Sequence, residues 1–132
     1  MSSASYSRDV ALLLSIMKNQ KKIKDVVSRF DVSFEQKAKN FICNDEMAFD
    51  LCAMYMAQIG EEVKHLTTES KNELSKTLDT SVLYQFRNMI DHTYEKVNKI
   101  MLSAYIEKAV RSDTVKAVRD RAEYCKEHKK ST

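Results

Sequence analysis

The sequence contains no proline and a single glycine, Gly60, in 132 residues. Tight β-turns draw heavily on these two residues, so a chain nearly without them is poorly equipped for hairpins, sandwiches or barrels. The shortage argues against a β architecture and predicts an all-α fold. Cysteine is scarce too. Cys43, Cys52 and Cys125 are odd in number, and none forms a Cys-x-x-Cys pair. No histidine cluster accompanies them, so they predict neither a disulfide framework nor a zinc site. Reduced, buried or half-buried thiols of a cytoplasmic protein are expected instead. Long apolar runs are also missing. Leu12-Leu13-Leu14 gives way to Lys18, Lys21 and Lys22, so neither a membrane span nor a signal peptide is predicted.

What is present suits one helical domain. Hydrophobic residues make up 43% and charged residues 31% of the chain, an ordinary balance for a folded protein. The length predicts a single domain over 1–132, with 1–6 and 129–132 expected to be mobile. A net charge of +3 permits an RNA or nucleotide partner without requiring one. Lys18 to Lys24, Lys37-Ala38-Lys39 and the C-terminal lysines read as solvated faces rather than an RNA track.

The apolar spacing predicts an up-and-down helical bundle of four to five main helices. Val10, Leu13, Ile16, Met17, Ile23, Val27 and Phe30 mark a first helix of about six turns, with Ser7 as N-cap and Asp9 in its first turn. Ser33-Phe34-Glu35-Gln36 is a capping box for a short second helix. Asn44 is the expected cap of a third helix running to about Leu66, with a buried stripe of Ala48, Leu51, Cys52, Tyr55, Ile59, Val63 and Leu66 and with Gly60 inside it. A mid-helix glycine costs about 1 kcal/mol against alanine, and close approach of a neighbouring backbone would compensate. Ser70-Lys71-Asn72-Glu73 reads as another capping box. Thr80 caps the next helix, whose stripe is Val82, Phe86, Met89 and Ile90. Asn98 opens a helix carrying Ile100, Met101, Leu102, Tyr105, Ile106 and Ala109. Ser112-Asp113 marks a restart or kink before a last helix to about His128.

The chemically richest stretch is Arg87-Asn88-Met89-Ile90-Asp91-His92-Thr93-Tyr94. It brings a permanent cation close to an imidazole that titrates near neutrality. The spacing also has a plain reading. Arg87 and Asp91 are an i,i+4 pair worth about 0.3–0.5 kcal/mol, His92 can finish a helix, and Tyr94 can be a packing aromatic. Residues five apart on a helix lie about 140° apart, so Arg87 and His92 flank a groove rather than share one face. Groups splayed in this way suit a two-fold seam, where each appears twice. Of the other histidines, His65 reads as a surface residue near the end of the third helix, beside Glu61 and Glu62, and His128 as part of the tail.

Arg87-Asn88, His92 and Tyr94, set between a short amphipathic run and an Asn98-capped helix, resemble the HEPN superfamily, and within it the HepT-like toxins. Arg8-Asp9 before a leucine-rich helix, Gln58-Ile59-Gly60-Glu61 and Val97-Asn98 extend the likeness over residues 8 to about 110. Val82 and Gln85-Phe86 depart from the aromatic and glycine residues common before the family motif, and Thr93 occupies a position that varies. The resemblance implies a helical homodimer with a composite active site. It would act as a metal-independent endoribonuclease toxin of a type VII toxin-antitoxin system, with no cofactor. Arg87 and His92 would be catalytic and Asn88 supporting. Tyr94 would be the AMPylation site of a cognate MntA-like nucleotidyltransferase antitoxin. A binding site and a catalytic site for phosphate use the same groups. The alternative is therefore a non-catalytic helical subunit that binds nucleotide or docks a minimal nucleotidyltransferase.

Overall fold

The computed structural model describes residues 2–28, 45–80, 83 and 99–130. These residues form an all-α bundle of five helices: α1 (Ser3–Ser28), α2 (Glu46–Lys64), α3 (Thr68–Leu74), α4 (Lys99–Ala109) and α5 (Ser112–Lys130). The second predicted helix, with its Ser33 capping box, lies outside the described residues. So do Phe30, Cys43, Asn44, Asn98 and the whole stripe of Val82, Phe86, Met89 and Ile90; Leu83, which is not on that stripe, is described and buried.

Helix α1 is the axis of the bundle. Val10, Leu13, Ile16, Ile23 and Val27 recur at helical spacing and are buried, as their pattern requires. The helix starts earlier than its sequence suggests. Ser2, not Ser7, caps it, its Oγ accepting from the Ser5 N–H at 3.1 Å. This start carries Tyr6 and Asp9 into the buried stripe, so Asp9 sits two turns inside the helix rather than at its positive end.

Both long partners run antiparallel to α1. Towards α2, Asn19 bonds Glu62 and Lys22 lies over the Tyr55 ring; just beyond the end of α2, Thr67 bonds Asp9. Towards α5, the Ser3 hydroxyl donates to the Lys129 carbonyl and Tyr6 meets Tyr124 and His128. His128 is therefore helical and packed, not tail.

Helix α2 begins one residue later than its expected cap. Asp45 is extended at φ −109°, ψ 112°, and its Oδ1 accepts from the Ala48 N–H at 2.8 Å. Ala48, Cys52, Ile59 and Val63 are buried as predicted, together with Phe49, Ala53 and Met56, while Leu51 and Tyr55 are half-buried. Gly60 is buried beside Ile59, so a larger side chain there would point into packed interior. His65 closes the helix, exposed, with Nε2 3.1 Å from Glu61.

Helix α4 buries Leu102, Ser103, Ile106 and Ala109, whereas Ile100 and Met101, apolar residues of the same helix, are exposed. The break expected at Ser112-Asp113 falls at Val110-Arg111, between α4 and α5. Two carbonyls released there find side-chain donors. The Thr114 hydroxyl donates to Lys108 O at 2.9 Å, and Gln20 Nε2 donates to Ala109 O at 2.8 Å.

Candidate functional site

Arg87, Asn88, His92 and Tyr94 all lie outside the described residues. Of the segments that accompany them, Arg8-Asp9 and Gln58-Ile59-Gly60-Glu61 are described. Arg8 and Gln58 are exposed, Ile59 and Gly60 are buried, and Glu61 is half-buried with Oε1 3.1 Å from His65 Nε2. Val97-Asn98 is not described.

The most elaborate polar arrangement among the described residues is centred on Asp9. Its carboxylate is fully buried between α1, α3 and α5. Oδ1 accepts the Thr67 N–H at 3.1 Å, and Oδ2 accepts the Thr67 and Ser70 hydroxyls, each at 2.6 Å. These bonds decide where α3 begins. Thr67, held by Asp9, becomes the N-cap and accepts from the Ser70 N–H at 3.3 Å. Ser70, the cap suggested by sequence, is instead one turn inside and buried.

Ser70 also accepts from Arg121 Nε at 2.9 Å, so its hydroxyl links a buried guanidinium on α5 to a buried carboxylate on α1. The Arg121 guanidinium lies 4.5 Å over the Tyr124 ring and reaches towards Glu69 at 4.0 Å. Tyr124 stacks on His128 with centroids 3.7 Å apart. His128 Nδ1 is 2.8 Å from the Tyr124 carbonyl, which fixes the proton on that nitrogen. Each hydroxyl has a defined donor and acceptor, and Ser70 is sealed from solvent. Its oxygen therefore cannot meet a substrate, and the network joins three helices rather than performing chemistry. The sequence did carry a signal for it, because Asp9 falls on the Tyr6–Val10–Leu13 stripe, where a carboxylate must find donors.

A cavity of about 470 Å³ adjoins this network, lined by Glu73, Lys76, Thr77, Asp120, Arg121 and Tyr124, among others. Its rim charges pair locally: Lys76 with Glu73 at 3.1 Å, and Asp120 with Lys116 at 2.7 Å. The Lys116 hydrogen bond holds the Asp120 carboxyl below its ordinary range.

A second buried acid lies on α2. Glu62 Oε1 accepts from Asn19 Nδ2 at 2.7 Å, and burial pushes its carboxyl above the ordinary glutamate value against the pull of Ser15, Gln58 and Asn19. Burial raises the Cys52 thiol to about 12 and raises Cys125 as well. Both are free thiols in the interior. Among the described residues no group of three or more histidine, cysteine or acidic side chains is placed to hold a metal ion. None of the described helices is long and apolar enough to cross a membrane.

No family model, curated protein or solved structure matches the chain.

Proposed function

We propose that this chain is a metal-independent endoribonuclease toxin that is silenced by adenylylation of Tyr94. The observation that carries the reading is the combination of Arg87-Asn88, His92 and Tyr94 with Gln58-Ile59-Gly60-Glu61. The all-α bundle suits it, and so does the burial of Gly60 within α2.

The residue types fit the reaction. RNA supplies its own nucleophile, the 2′-hydroxyl. One His92 accepts that proton as the 2′-oxygen attacks phosphorus. The bond to the 5′-oxygen breaks, and the departing oxygen takes a proton from the second His92 of a symmetric dimer. The products are a 2′,3′-cyclic phosphate and a 5′-hydroxyl. Arg87 holds the phosphate oxygens as charge builds on the phosphorane, and its planar fork stays charged at every working pH. Asn88 orients phosphate by hydrogen bonds. The partner, an MntA-like nucleotidyltransferase, joins the Tyr94 oxygen to the α-phosphorus of ATP and releases pyrophosphate. The added nucleotide is a bulky anion at the mouth of the site, able to pair with Arg87 where RNA phosphate would bind.

Intact mass tests the switch. Chain produced together with the nucleotidyltransferase encoded beside it should gain whole adenylyl units, and Tyr94→Phe should gain none. An unchanged mass in a stable complex would instead favour the docking-subunit reading.

A further inference from the structure

A groove of about 510 Å³ is lined by α1 and Val115 of α5. Its floor is aliphatic: Leu14, 44% exposed, with half-buried Met17 and Val115. Gln20 closes the bottom. It is buried and bonded to the Ala109 carbonyl at the end of α4, three residues before α5 begins, which holds α1 to the turn that leads into the α5 wall. Lys18, Lys21 and Lys24 stand along the α1 side. On a helix they rise in steps of about 4.5 Å and, with Leu14 and Met17, occupy roughly one third of the circumference. Arg119, one turn beyond Val115, adds an exposed cation on α5.

A lysine face alone is most simply a solvated surface. Here the lysines border a floor of exposed Leu14 with half-buried Met17 and Val115, and water solvates that combination poorly. We propose that this groove docks an acidic amphipathic helical segment of a partner protein. The partner's apolar face would cover Leu14, Met17 and Val115, and its carboxylates, spaced one turn apart, would meet the lysine row. Charge complementarity selects this occupant. A single-headed amphiphile would leave most of this cationic row unmatched. Single-stranded RNA binds on aromatic or arginine faces that stack its bases, and the floor of this groove offers only aliphatic chains. The proposal does not depend on the ribonuclease reading.

The test uses a synthetic helical peptide of about 16 residues. Its leucines are at i, i+3/i+4 and i+7, with glutamates on both flanks; a control peptide carries lysine at every glutamate. Binding to the full chain is read by fluorescence anisotropy and by backbone amide shifts. The acidic peptide should bind and the control should not. The triple variant Lys18→Glu/Lys21→Glu/Lys24→Glu and the single variant Leu14→Ser should each lose about tenfold in affinity with unchanged circular dichroism. Shifts should centre on 14–24 and Val115. Lys→Gln at the same three positions should lose less than Lys→Glu. Equal binding of both peptides, full binding by either variant, or shifts centred elsewhere would overturn the proposal. So would a preference for single-stranded RNA or phosphatidylglycerol vesicles that disappears in the same variants. His92→Ala should bind the peptide normally, so this proposal and the ribonuclease reading can fail separately.

Discussion

At the scale of single residues, stability rests on a few buried polar groups. Asp9 satisfies three donors from inside the core, so Asp9→Ala leaves the Thr67 N–H and the Thr67 and Ser70 hydroxyls short of an acceptor and should cost about 3 kcal/mol in urea unfolding. A loss under 1 kcal/mol would mean that the network contributes little. Glu62 makes a prediction with a sign. Its carboxyl is raised in the folded protein, so the folded state holds that proton more tightly than the unfolded state does. The contribution is present at low pH and is lost as pH rises from the ordinary value of 4.5 through the raised one. Glu62→Gln removes this term and keeps an acceptor for Asn19. Its stability relative to wild type should therefore increase between pH 4.5 and pH 8, and a pH-independent difference would contradict the account. Cys52 and Cys125 are sealed, with thiols raised by burial. In peptide-resolved mass spectra both should resist a thiol reagent in folded protein and react after unfolding. Rapid labelling of either in the folded state would show that its helix opens.

At the scale of elements, the boundaries carry the lesson. Helical type was legible from period alone: the Val10–Val27 and Ala48–Val63 stripes are buried where the sequence places them, apart from half-buried Met17, Leu51 and Tyr55. The starts of α1 and α3 were not, because tertiary contacts chose among several competent caps. Ser2, Ser5 and Ser7 are all able to begin α1, and packing of Tyr6 on Tyr124 favours the earliest. Thr67, Thr68 and Ser70 compete at α3, and Asp9, 58 positions away from Thr67, decides for Thr67. Thr67→Ala should therefore cost more than an ordinary cap. About 2 kcal/mol is expected against the usual 1, because both the cap and a bond to Asp9 are lost. A double-mutant cycle with Asp9→Ala should be non-additive, since the two residues share one network. Additive losses would mean that the cap and the carboxylate act independently. Exposure of Ile100 and Met101 belongs to the same lesson: a dense apolar run cannot bury every side of a short helix.

At the scale of the whole molecule, composition indicated an all-α fold and apolar spacing a helical bundle, and α1 organises it by pairing antiparallel with α2 on one side and α5 on the other. The Asp9 network was legible only in hindsight, as a carboxylate on a buried stripe. The groove walls were partly legible, since the lysines are evident in the sequence but their aliphatic floor needs Val115 from a distant helix. The proposed catalytic groups come from sequence alone, and their central claim is chemical: Arg87 and His92 cut RNA without a metal. The direct measurement is cleavage of single-stranded RNA by purified, partner-free chain with excess chelator present. Wild type should leave 2′,3′-cyclic phosphate and 5′-hydroxyl ends. Arg87→Ala and His92→Ala should each be slower by about 100-fold or more while retaining wild-type circular dichroism. Cleavage by His92→Ala at the wild-type rate, or activity that disappears with the chelator, would contradict the account.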